Sequence, residues 1–171
     1  MSLLNAKRIA DLTEQVDTES KKLVQKHAGL RKGITDEVSN AFAAHMEKHG
    51  FDVSKTAQGL KASYKGLVLE LKPANEEEVY IGCYHSFILL VDGKEKFIRV
   101  VPKFTGGKTE HPPLQADKIE GLEHQLAQID IGLNHLLIES YKLDCSQPVK
   151  NQRVQPDLKD SIDEVLDVFL A

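Results

Sequence analysis

The chain has 171 residues, with 22 Lys and Arg against 26 Asp and Glu, and a formal net charge of −4. A balance so near neutrality argues against a dedicated polyanion binder, and two cysteines are too few for a disulfide scaffold. No apolar run approaches the roughly 18 residues of a membrane span, and the first residues lack the apolar stretch of a signal peptide. The expectation is a cytoplasmic α+β protein, without cofactor and not membrane-bound, whose core is aliphatic because Trp is absent.

In chain order, residues 4–32 read as a helix. Ile9, Leu12, Val16, Leu23 and Leu30 follow a coiled-coil spacing, with Glu19 and Lys26 standing where the seam wants apolar residues. Gly29 and Gly33 offer stops, because Gly takes the left-handed conformation that ends helices. A second helix is expected over 35–49. Thr35 would be its N-cap, Asp36 and Glu37 would lie at the positive end of its dipole, and Gly50 would be its C-cap.

From 59 to 104 the texture becomes that of strands. Leu60, Ala62 and Tyr64 alternate with Lys61, Ser63 and Lys65, and Leu67, Leu69 and Leu71 continue with period two. A second strand region runs over 79–91 and ends at Asp92-Gly93, a strong hairpin signal, with 96–104 returning. These residues predict an antiparallel meander of three to four strands.

Residues 114–143 predict the second long helix. Ile119, Leu122, Leu126, Ile129, Leu133 and Leu136 hold an unbroken 3-4 spacing, and Ile131, Leu137 and Ile138 widen the apolar face. Residues 1–33 carry net +3 and residues 111–150 net −3, which favours an antiparallel pair of the two long helices, with the meander as connecting head. The reading is thus one α+β domain over 1–144, a linker over 145–156, and a short amphipathic docking helix over 157–171. That last helix would dock through Leu158, Ile162, Leu166 and Phe169.

Four groups of residues invite a chemical reading. The Gly106-Gly107-Lys108-Thr109 run ends like a phosphate loop, but it lacks the upstream Gly, and His111-Pro112-Pro113 blocks the helix that such a loop needs. His45 and His49 have the spacing of metal ligands on a helix, yet Met46 stands where a metalloprotease has its Glu, so a partly buried structural His45 is expected. Cys83 and His85 share a strand face, and a small buried Cys is the default for such a position. His124 and His135 lie three helical turns apart, with Glu120 and Glu139 nearby, as the polar border of a helix.

Lys61, Lys65, Lys96, Arg99 and Lys103, with interleaved aromatics, could present a basic face to nucleic acid. Against this, residues 57–110 carry eight basic and seven acidic groups. The leading expectation is therefore a non-enzymatic adaptor, scaffold or inhibitor, homodimeric or bound to another protein, acting through Leu122, Leu126, Ile129, Leu133 and Leu136 and the last helix. A nucleic-acid accessory protein is the first alternative. A metal protein or enzyme around His45, His49, Cys83 and His85 is the second.

Overall fold

A computed structural model describes residues 2–75, 83–106, 117–147 and 154–170. It is an α+β protein, with three helices and a seven-stranded antiparallel sheet among the described residues. The order is α1 (Leu3–Lys48), β1 (Asp52–Lys55), β2 (Leu60–Tyr64), β3 (Leu67–Pro73), β4 (His85–Val91), β5 (Lys94–Thr105), α2 (Lys118–His135), β6 (Leu137–Asp144), β7 (Leu158–Lys159) and α3 (Ile162–Leu170). Strand order in the sheet equals strand order in the chain. The phosphate-loop candidate at 107–109, the Pro pair at 112–113 and the strand start at 79 lie outside the described residues.

The expected break at 33–35 does not occur. α1 is one helix of 46 residues. Thr35 is no N-cap: its hydroxyl donates to the carbonyl of Arg31, one turn back. Two Gly cost a helix about 1 kcal/mol each. Against that cost, Ile34, Val38, Phe42 and Met46 form one buried stripe at four-residue intervals and extend the helix through both glycines. The stop comes where Gly50 was read as a cap. Gly50 takes φ +82°, its N–H donates to Glu47 and that of Phe51 donates to Met46, which is the hydrogen-bond pattern of a Schellman cap.

The second long helix is also corrected. α2 spans 118–135, opened by a capping box in which Asp117 accepts from Glu120 and Glu120 reaches back to Asp117. Leu136 is its C-cap, and the chain then becomes strand β6. The meander gains three strands over the expected maximum of four: β1, β6 and β7. The Asp92-Gly93 hairpin forms, with both residues at positive φ. The last helix begins at Ile162 rather than 157, because Leu158 and Lys159 pair with Asp144 and Leu143.

The chain divides into two compact units: Met1–Leu30 with Phe104–Glu139, and Arg31–Lys103 with Ser140–Ala171. In the second, one sheet face carries Leu69, Leu71, Phe87, Leu89, Ile98 and Val100, all buried. The stripe of α1 from Ile34 to Met46 is buried in the same unit, as are Ile162, Val165 and Leu166 of α3. That is the main core. The first unit is helical and less completely buried: of the seam residues only Val16, Ile129 and Leu136 are buried.

Candidate functional site

The helical unit carries the predicted apolar seam. Ile9, Leu12, Leu23 and Leu30 of α1, and Ile119, Leu122, Leu126 and Leu133 of α2, are all only half-buried. Leu3 and Leu4 are 88% and 81% exposed, and Val24 is 62% exposed. The two helices run in the same sense, not antiparallel as the charge argument suggested. Arg8 meets Glu123 near the start of both segments, and Lys26 meets Gly132 and Leu133 near the end of both. One ion pair, Arg8 with Glu123, joins the two segments, and the opposite net charge fixes no direction.

Lys26 has a specific task in the seam. Its ammonium donates to the carbonyls of Gly132 and Leu133 at 3.0 and 2.7 Å, among the last carbonyls of α2. A cation there gives the Leu133 carbonyl a donor, adds to the bond that the Gly132 carbonyl already accepts from the Leu136 N–H, and opposes the negative end of the helix dipole. Gly132 also leaves room for the Leu23 side chain, which would touch a Cβ at 2.9 Å. Glu19, the other odd seam residue, holds Lys22 at 2.7 Å.

The C-terminal helix docks within its own unit. Ile162 and Leu166 are buried, Phe169 is half-buried under the ammonium of Lys96, and Leu158 on β7 is exposed. Asp163 accepts from Nδ1 of His45 at 3.0 Å, and the His45 ring lies 4.6 Å from that of His49. His45 is only 13% exposed. Among the described residues no group of three or more His, Cys, Asp or Glu is placed to hold a metal ion.

His85 is buried against Phe87, and its Nε2 lies 2.8 Å from the Thr35 hydroxyl. That hydroxyl already donates to Arg31, so Nε2 carries the proton and donates to it. Burial, helped by the Arg31 charge, pushes the His85 pKa down. Cys83 lies before β4 rather than in mid-strand, and burial raises its pKa, partly offset by Arg99. A thiol held up in this way, beside an imidazole committed to Thr35, is not an activated nucleophile pair.

The basic strand residues do not share one face. Pairing register puts Lys61 and Arg99 on the face opposite the main core, and Lys96 on the core face. Lys61 lies 3.9 Å from Glu70, and Lys65 stands over Tyr64 in a turn. Arg99 pairs with Asp144 at 2.9 Å, and Lys103 is exposed near the end of β5.

Two features escaped the sequence reading. The first is a polar latch at the former linker. Asp144 is buried, and its Oδ1 accepts from the Ser146 N–H and hydroxyl and from the Asp157 N–H, while Oδ2 holds Arg99. The Gln147 amide both donates to and accepts from the backbone of Phe97. Cys145 sits within this latch, its thiol donating to Asp157, and burial with that contact pushes its pKa up to about 11. The Asp-x-Ser spacing of a side chain bonding the backbone two residues on was the available signal. The second feature is a groove of about 430 Å³ between α1 and β1. Nothing in the alternation of the later strands announced β1, whose only apolar residue is Val53.

Comparison with family models, with curated proteins and with solved structures finds no match to this chain. No helix among the described residues is long and apolar enough to cross a membrane.

Proposed function

We propose that this protein is a non-enzymatic interaction protein, an adaptor, scaffold or inhibitor, whose helical unit pairs with a second copy of itself. The observation that carries this reading is the half-exposed seam. Eight apolar residues of α1 and α2 at coiled-coil spacing stay partly in contact with water, and Leu3 and Leu4 add exposed apolar surface at the start of α1. Burying such a strip is worth about 25 cal/mol per Å² of apolar surface, and a second copy presents the same strip in return. A non-enzymatic reading is supported by the Cys83 thiol, which burial holds up, and by the His85 imidazole, which is committed to Thr35. The nucleic-acid alternative has weaker support, since Lys61 and Arg99 have acidic partners and Lys96 serves α3. A cytoplasmic setting fits the same reading, because Cys83 and Cys145 are both free thiols.

The test is the solution mass by light scattering at low and high salt. The expected result is a dimer at both, converted to monomer by Leu4→Glu or by the double change Leu126→Glu with Leu133→Glu. Leu4 is exposed, so its substitution leaves the monomer fold intact. A wild-type monomer would overturn the proposal, and a dimer indifferent to all these changes would remove the seam from it.

A further inference from the structure

The groove between α1 and β1 has the parts of a strand-addition site. β1 is the terminal strand of the sheet. The Thr56 N–H donates to the Gly59 carbonyl at 2.9 Å. Hydrogen-bonded pairs therefore recur at Ser54↔Lys61 and Asp52↔Ser63, because they alternate along an antiparallel ladder. The N–H and C=O groups of Val53 and Lys55 then point away from β2. They form a short open ladder that an extended chain can complete.

The helix supplies the facing wall. Asp36, Ser39, Asn40, Ala43 and Glu47 recur at three- and four-residue intervals and line the groove opposite Val53 and Lys55. Ala43 leaves space in the middle, the two ends carry carboxylates, and with Lys55 on the strand wall the lining keeps a net negative charge. Asp36 is shared with Lys32 at 2.6 Å, but both side chains are mostly exposed, so that pair exchanges readily with an incoming cation. Glu47 is exposed and closes the other end.

We propose that this groove binds an extended segment of a partner protein as an added strand on β1, with basic side chains of that segment set against Asp36 and Glu47. The two carboxylates stand eleven positions apart on the helix, about 16 Å along the axis. Same-face residues four apart on a strand span about 13 Å, and flexible Lys side chains cover the difference. The recognised pattern is therefore two basic residues separated by three others. This site rests on the interaction-protein reading but not on self-association of the helical unit.

The test uses the full chain, labelled with ¹⁵N. It is titrated with a capped seven-residue Thr/Val peptide carrying Lys at its second and sixth positions, and with the same peptide carrying Glu there. The expected result is a shift of the Val53 and Lys55 amides by the Lys peptide alone. The double variant Asp36→Lys, Glu47→Lys should bind the Lys peptide about tenfold more weakly and prefer the Glu peptide, with its unperturbed spectrum elsewhere reporting an intact fold. If that variant does not fold, the contrast between the two peptides on the wild-type chain decides alone. No shift at Val53 and Lys55, or an equal response to both peptides, would overturn the proposal. So would a shift of the same amides on concentrating the protein alone, which would place a second copy in the groove. The light-scattering mass should be untouched by the charge reversal, so failure here and failure of the dimer are separable.

Discussion

The ammonium of Lys26 lies 2.7 Å from the carbonyl oxygen of Leu133 and so joins the middle of α1 to the last turn of α2. A charged residue in an apolar seam thereby gains a partner that no apolar side chain could replace. Lys26→Met keeps the apolar stem and loses the donor. It should lower stability by about 0.5–1 kcal/mol, while Lys26→Arg should lose less. Urea unfolding at two salt concentrations checks this, because the deficit should shrink as salt screens the helix end.

Gly29 and Gly33 test the unbroken helix. Both sit inside α1, and a Cβ at either would meet nothing within 4 Å. Each change to Ala should raise stability by about 0.5–1 kcal/mol. Were the chain instead to turn at either glycine in a left-handed cap, Ala would strain it and the sign would reverse. Thermal melts of the two single variants distinguish the cases.

These glycines also show how far the sequence could be read. Each half of α1 was visible in its apolar spacing, and the Gly50 cap was placed correctly. Local chemistry at Gly33 and Thr35 favours a break, and the burial of Ile34 and Val38 overrides it. The end of α2 was missed for a related reason. Leu136 continues the helical spacing, the strand alternation that follows is confined to Tyr141-Lys142-Leu143, and no Gly or Pro separates the two patterns. The seam was legible because it repeats along one segment. The groove was not, because its walls come from a polar helix stripe and a four-residue strand joined only in space.

Asp144 should be the most costly single polar position. Removing its carboxylate as Ala takes the charge partner from a mostly buried Arg99 and frees the Ser146 and Asp157 donors. The expected loss is about 3–5 kcal/mol. Asp144→Asn should cost less, since its amide oxygen still accepts from part of that set. Denaturant midpoints of the two variants measure the difference.

His85 gives stability a dependence on pH. Its folded pKa lies below the ordinary value near 6.5, through burial first and the Arg31 charge second. Above about pH 6.5 the group is neutral in both the folded and the unfolded chain. As pH falls below that, the unfolded chain takes up the proton and the folded chain resists it, so stability drops until the folded pKa is passed. His85→Gln retains a donor toward Thr35 without titrating. The fall in unfolding midpoint between pH 7.5 and 5.5 should be smaller in that variant than in the wild type.

Gly59 carries a steric demand. A Cβ there would collide with the carbonyl oxygen of Leu71 on β3, the neighbour of β2 on the side away from β1. Gly59→Ala should therefore destabilise by about 1–3 kcal/mol, as overpacking does. Amide exchange should show the loss first in β2, the strand that this close approach sets beside β3, and then in β1, which pairs only through β2.

Because strand order in the sheet repeats strand order in the chain, each of the first four strands pairs with its successor, across four residues from β1 to β2, two from β2 to β3, eleven from β3 to β4 and two from β4 to β5. Such local pairing lowers the entropy spent on loop closure and speeds folding. The β1 to β5 ladder can assemble in the order in which the ribosome releases it. The β5–β6 junction is different, since all of α2 intervenes between its two strands. Until β6 arrives, β5 is a twelve-residue open edge with Phe97 and Val101 along it. Interrupted synthesis beyond Thr105 would leave a nascent chain prone to strand-to-strand association, a hazard closed only when residues after His135 emerge.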